Sequence, residues 1–218
     1  MLSDLNNPWW YAVKAMILLL ALPMHEACHA GMAYLLGDDT AKHQGRISLN
    51  PLRHLDPWGT IMILIPGNII GWAKPTPFNP LNLRGNRSFG SALIYLAGPF
   101  SNLLQAGFFS LVFRILLLSG VQAPLPYELL KMIILLNLAL FIFNLLPLPP
   151  LDGFGALSQI AAGEFKNTLA SLQRLGFPIL FVILIADQLS GFNFIGHIIG
   201  KFAWTMMDWL LPATALEF

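Results

Sequence analysis

Over residues 89–119 the chain carries a single charged side chain, Arg114. About 20 apolar residues make a helix that crosses a bilayer, so a run this long and this poor in charge constrains the fold more than any other feature. Similar runs occupy residues 9–36, 127–146 and 172–189. Composition agrees. Of the 218 residues 56% are hydrophobic and 11% charged, against roughly 25% charged in a soluble domain. Disorder, collagen-like repeats and coiled coils are excluded by the same values. A net charge of +1 supplies no basic surface for nucleic acid. The one cysteine, Cys28, excludes an internal disulfide framework. Residues 1–8 lack the basic region of a secretory signal, so the first apolar run is expected to stay in the mature protein.

The expected fold is an all-α polytopic membrane protein with four to five transmembrane helices. Residues 1–218 read as one domain, with a core at about 9–153 and C-terminal helices at 172–211. Residues 58–73 are apolar but short, and Pro66-Gly67-Asn68 interrupts them, so a re-entrant segment is expected there. Arg46, Ser48 and Asn50 alternate with Ile47 and Leu49, a short strand pattern ended by Pro51. Pro23 is expected to kink the first helix, and Gly98-Pro99 to break the helix at 89–119. At 192–211, His197, Lys201 and Asp208 share one helical stripe. That segment either lies in the interface or spans with its stripe against other helices.

Lys42, Arg46 and Arg53 make the 37–57 loop basic, and Lys74, Arg84 and Arg87 do the same for 74–88. Basic loops stay in the cytoplasm. The loop at 120–126 has no Lys or Arg and is expected outside. A multi-pass protein of the cell membrane follows.

His25-Glu26-Ala27-Cys28-His29 lies inside the first apolar run. Two histidines four apart stack on one helix face and can share a metal. Imidazole nitrogen suits zinc, which keeps an open position for water in catalytic sites. Glu26 adjoins the pair without joining it, and can act as general base. With 5 His and 4 Glu in the chain, the motif arises by chance in roughly 1 of 500 such compositions. Ionisable groups inside a membrane span are functional by default. The alternative is a buried polar seam satisfied by neighbouring helices. A third ligand is required, and the candidates are Asp152, His43, His54, Asp56 and Cys28. Asp152 stands out because it follows an intramembrane helix and a proline-rich opening; its alternative role is a helix N-cap.

Five stretches occur together and in order: His25-Glu26-x-x-His29, Gly45-Arg46-Ile47-Ser48-Leu49-Asn50-Pro51, Gly71-Trp72-Ala73-Lys74-Pro75, Gly98-Pro99-x-x-Asn102, and Asn144-x-x-Pro147-x-Pro149-Pro150-Leu151-Asp152-Gly153. Over roughly residues 15–160 the chain resembles the site-2 protease family of intramembrane zinc metalloproteases. It looks like a minimal branch without PDZ or CBS domains. The resemblance implies that His25, His29 and Asp152 ligate Zn2+ and that Glu26 is the catalytic acid/base. It implies that Asn144 helps to hold substrate or the oxyanion, and that Asn102 occupies another motif position. The Gly45–Asn50 strand corresponds to a membrane-associated β-loop that pairs with extended substrate, which makes Arg46, Ile47 and Ser48 substrate-binding candidates; the alternative is a purely structural hairpin. A protease must unwind a helix to reach its carbonyls, and an edge strand would satisfy the freed groups.

The expected activity is therefore zinc-dependent hydrolysis of peptide bonds in or near transmembrane segments of membrane protein substrates, on the cytoplasmic side. Two other readings were weighed. One is an inactive metal-bound membrane binding module, against which the presence of Glu26 argues. The other is a metal-ion transporter, which would show repeated halves or paired broken helices.

Overall fold

Proline has no N–H, and its ring collides with the carbonyl four residues back, so an α-helix cannot run through Pro23 unchanged. In the computed structural model, which describes residues 8–65 and 71–211, the chain answers with a π-helical turn. Helix α1 (Pro8–Met16) widens into Ile17–Ala21 and narrows again into α2 (Leu22–Leu35). The kink expected at Pro23 is taken up as this wider turn, a common adjustment near functional sites. The chain forms two compact units, Met1–Gly90 and Ser91–Phe218.

In the first unit α2 leads through α3 (Thr40–His43) to α4 (Pro57–Leu64). Asp56 caps α4 by accepting the Gly59 N–H at 2.9 Å. At Gly59 the helix meets the main chain of residue 72 so closely that a Cβ would lie 2.0 Å from the Trp72 carbonyl oxygen. That contact seats residues 71–74 beside α4. Leu55 and Ala73 form an isolated antiparallel bridge, and the Lys74 N–H donates to His54 O at 2.7 Å.

No strand occurs among the described residues, so the strand pattern read at residues 45–50 is not realised. Side chains take the main-chain groups that a ladder would need. Ser48 Oγ accepts the Asn50 N–H at 3.1 Å, Asn50 Oδ1 accepts the Leu52 N–H at 3.1 Å, and Ser48 O accepts from His54 Nε2 at 2.6 Å. Such local bonds compete with strand pairing. The Pro66-Gly67-Asn68 break lies outside the described residues. Before it, α4 has eight residues, about 12 Å of helix, too short to cross a bilayer. Lys14, buried on α1, donates its ammonium to Ile65 O at 2.7 Å.

The second unit contains most of α5 (Arg87–Leu118), then α6 (Pro124–Leu145), α7 (Asp152–Ile160), α8 (Gly163–Arg174), α9 (Gly176–Ser190) and α10 (Phe194–Leu210). Helix α5 runs through Pro99 without the expected break. Phe113, Tyr127, Ile134, Leu138, Ala203 and Met207 form the core that α5, α6 and α10 share. Leu104, Phe108, Leu111, Ile115 and Leu118 follow one another at steps of four and three along α5, and all are exposed. A stripe of that size on one helix face calls for lipid rather than water.

One segment differs from expectation, and at another, one of two alternatives is not realised. Residues 172–189 are not one straight span: α8 and α9 meet at 73°. The Pro178 ring would collide with the carbonyl of Arg174, which ends α8. On α10 the packed face is Ala203, Met207 and, just beyond the helix, Leu211, while His197, Lys201 and Asp208 are exposed. The polar stripe therefore faces away from the helix core. Among the described residues three helices are long and apolar enough to cross a membrane, Tyr11–Leu35, Arg87–Leu118 and Pro124–Leu145; the bent pair would make a fourth. This all-helical architecture fits a multi-pass membrane protein.

Asp38 ties the loop after α2 to residues 79–82. Its carboxylate accepts from the Thr40 hydroxyl at 2.6 Å, the Asn79 N–H at 2.6 Å and the Asn82 amide at 2.8 Å. Burial opposes the charge, but these bonds and the Thr40 N–H outweigh it and hold the carboxyl below its ordinary value near 3.8. The folded pKa is depressed, so the stabilisation is present above the unfolded pKa and is lost as pH falls through the folded one. Asp38→Asn is expected to lower the thermal unfolding midpoint at pH 7, with the gap to wild type closing below about pH 4. A gap that stays constant across that range would remove the carboxylate from this role.

Candidate metal centre and its surroundings

The helical repeat brings His25 and His29 together on α2. Their Nε2 atoms lie 3.1 Å apart, the rings meet edge to face with centroids 4.7 Å apart, and both residues are buried. Two nitrogens bound at 2.0–2.1 Å to one tetrahedral zinc stand about 3.3 Å apart. The imidazole pair thus fits a single zinc ion in donor chemistry and in spacing.

Glu26 is also buried. Its Oε2 accepts a hydrogen bond from Thr76 Oγ1 at 2.7 Å, and Arg46 Nη2 approaches the same oxygen at 3.9 Å. Arg46 is only 2% exposed. Its guanidinium donates to the main-chain oxygens of Arg53 and Lys74. Burial lowers the Arg46 pKa, and the Glu26 charge acts in the opposite sense. A guanidinium remains charged throughout the physiological range, so Glu26 faces a fixed cation. Both loops that reach Glu26 are gathered by this one arginine.

Three other ligand candidates of the first unit, His43, His54 and Asp56, are engaged elsewhere. His43 is exposed and pairs with Asp39 at 2.9 Å. Buried His54 donates to Ser48 O. Desolvation lowers its pKa despite that bond, and Arg46 adds to the effect. Asp56 caps α4. Cys28 is half-buried on α2. In the Arg46-Ile47-Ser48 stretch, Ile47 is 43% exposed, whereas Arg46 is buried and Ser48 shapes the loop.

In the second unit Asp152 opens α7, and Leu151, not Asp152, is the N-cap. Gly153 follows, and a Cβ there would lie 2.3 Å from the Leu145 carbonyl oxygen. Only glycine lets the start of α7 pack directly on the last turn of α6. Asn144, on that turn, donates its amide to Leu140 O at 2.9 Å. Asn102 on α5 is fully buried and donates to Asn137 Oδ1 on α6 at 3.0 Å.

Comparison with known proteins gives the family. The chain is 42% identical over 181 residues to "Putative zinc metalloprotease YwhC" of Bacillus subtilis, covering 80% of each protein. It is 29% identical to "Putative zinc metalloprotease Rip2" of Mycolicibacterium smegmatis, over 81% of this chain and 68% of that one. The Rip2 of Mycobacterium tuberculosis strain H37Rv is 30% identical over the same shares. The chain belongs to this family of zinc metalloproteases. No family model and no solved structure matches it significantly.

The metalloprotease motif was legible in sequence, but Thr76 was not singled out. It lies 50 residues from Glu26, and its one signal is that it directly follows the Gly71-Trp72-Ala73-Lys74-Pro75 stretch.

The close approach at Gly153 yields a stability test. Gly153→Ala must displace main chain, and overpacking of this kind costs about 1–3 kcal/mol. Gly107 on α5 has nothing within 4 Å of a Cβ position, so Gly107→Ala is expected to leave stability unchanged or slightly raised. Equal thermal unfolding midpoints for the two variants in detergent would contradict the packing of α7 on α6.

Proposed function

We propose that this zinc metalloprotease is an intramembrane endopeptidase of the site-2 protease type. It would hydrolyse peptide bonds within or near transmembrane segments of membrane proteins. The observation that carries the reading is the buried His25–Glu26–His29 group inside the apolar segment Tyr11–Leu35. Buried ionisable groups at membrane depth are costly and mark function. An ordinary soluble protease has no reason to place its metal ligands there.

His25 and His29 would hold the zinc. Asp152 is proposed as the third ligand on its place in the Pro149-Pro150-Leu151-Asp152-Gly153 stretch, a position that resembles the family's aspartate. When bound, zinc would supply Lewis acidity and lower the pKa of water toward neutrality. Glu26 then accepts the proton of the attacking water at its carboxylate and delivers it to the departing amine nitrogen. Asn144 is proposed to donate its amide to the substrate carbonyl, and Asn102 to support the α5–α6 pair beside it. Within the Arg46-Ile47-Ser48 stretch, exposed Ile47 is the residue proposed to meet substrate.

The basic loops at 37–57 and 74–88 support a cytoplasmic setting for the site. They require residues 58–73 to enter and leave the membrane on one side, and the short α4 supports that re-entrant course. A tag inserted at Gly120 should then be reachable by impermeant reagents in intact cells, and one at Gly85 should not. Labelling of both from outside would overturn the orientation.

For the chemistry, zinc content and cleavage of a transmembrane reporter are measured together in liposomes. Glu26→Gln is expected to keep its zinc and lose cleavage by at least about 100-fold, the usual contribution of a general base. Asp152→Ala is expected to lose zinc as well as cleavage. Cleavage by Glu26→Gln at the wild-type rate would rule out the assigned base, and full zinc retention by Asp152→Ala would remove that residue from the ligand set.

A further inference from the structure

We propose that Thr76 is a positioning residue that fixes the Glu26 carboxylate through its hydroxyl, an inference that rests on reading Glu26 as the general base. A glutamate side chain has three rotatable bonds, and on a helix surface nothing local selects one rotamer. The selection comes from a different segment. Thr76 Oγ1 lies 2.7 Å from Glu26 Oε2 and 3.1 Å from the Glu26 main-chain oxygen. One hydroxyl thus contacts both ends of the same residue. That double contact defines where the carboxylate stands relative to α2, and so relative to His25 and His29 on the same helix.

The hydroxyl is rigidly mounted. Pro75 and Pro77 flank it. A proline holds its own φ near −65°, and a following proline restricts the residue before it to extended conformations. Two residues back, the peptide groups of Lys74 are held on both sides. The Lys74 N–H donates to His54 O at 2.7 Å, and the Lys74 carbonyl accepts from buried Arg46. Arg46 therefore acts on Glu26 twice, as the cation 3.9 Å from its carboxylate and as the clasp of the segment that carries Thr76. A hydrogen bond to a charged acceptor is among the stronger kinds. A base displaced by about 1 Å can lose about 100-fold in rate. The hydroxyl touches the base and not the reacting atoms, so its effect should appear in turnover rather than in metal or substrate binding.

The test uses the full chain, purified with zinc and placed in liposomes with a transmembrane reporter. Thr76→Val keeps the shape of the side chain and removes the hydroxyl. It is expected to lower kcat by about 10- to 100-fold, with KM, zinc content and unfolding midpoint unchanged. Thr76→Ser returns the hydroxyl and is expected to recover most of the rate. Wild-type kcat in Thr76→Val would overturn the proposal, and so would a Thr76→Ser variant as slow as Thr76→Val, because shape alone would then explain the loss. Glu26→Gln in the same assay separates the two levels. An inactive Glu26→Gln beside a fully active Thr76→Val refutes the positioning role alone, whereas an active Glu26→Gln refutes the assignment of the base and the positioning role with it.

Discussion

Hydrocarbon offers no hydrogen bonds, so every polar group carried into a membrane protein must be matched by another group of the chain. That constraint explains more of this structure than any single contact. Lys14 on the first helix reaches the carbonyl of Ile65. Ser101 and Ser110 return their hydroxyls to the carbonyls of Gly98 and Ala106 on their own helix. Asn102 and Asn137 meet across α5 and α6, and Asn137 also donates to Ile133 O. The buried guanidinium of Arg46 is distributed between two main-chain oxygens and the neighbourhood of Glu26. The bonds of Lys14, Asn102 and Arg46 join different elements, and those of Arg46 set the surroundings of Glu26.

The same constraint separates what could be read from the amino-acid order from what could not. Spans were legible because a bilayer imposes length and composition on consecutive residues, as at Arg87–Leu118. The paired imidazoles were legible because the helical repeat alone brings residues four apart together. The bend between α8 and α9 had a local signal in Pro178, but the apolar pattern ran on past it and suggested one helix. The alternation at residues 46–50 suggested a strand. Alternation records which side chains prefer burial; it does not record that Ser48 and Asn50 satisfy the main chain themselves. The link from Thr76 to Glu26 spans 50 residues, and no periodicity encodes it. Loop length, the close approach at Gly59 and the clasp by Arg46 together create it.

A short motif on one helix is therefore an incomplete description of this chemistry. His25 and His29 need only α2 to face each other. The orientation of Glu26 draws on residues 46, 74 and 76, which lie in loops and not on the motif helix. Loops of this kind tolerate sequence change more readily than packed helices. The orientation of Glu26 can thus change while the motif itself stays intact.

The π-helical turn at Ile17–Ala21 adds a different consequence. It takes in one residue more than an α-helical turn would, so it offsets the azimuth of everything before it from everything after it by about 100°. The segment bearing Trp9 and Lys14 and the segment bearing His25 and His29 are consequently two phase-independent halves of one rod. A one-residue deletion confined to the turn would remove that offset and return Pro23 to the kink that a plain α-helix requires. It would rotate the end bearing Trp9 and Lys14 against the end bearing His25, Glu26 and His29.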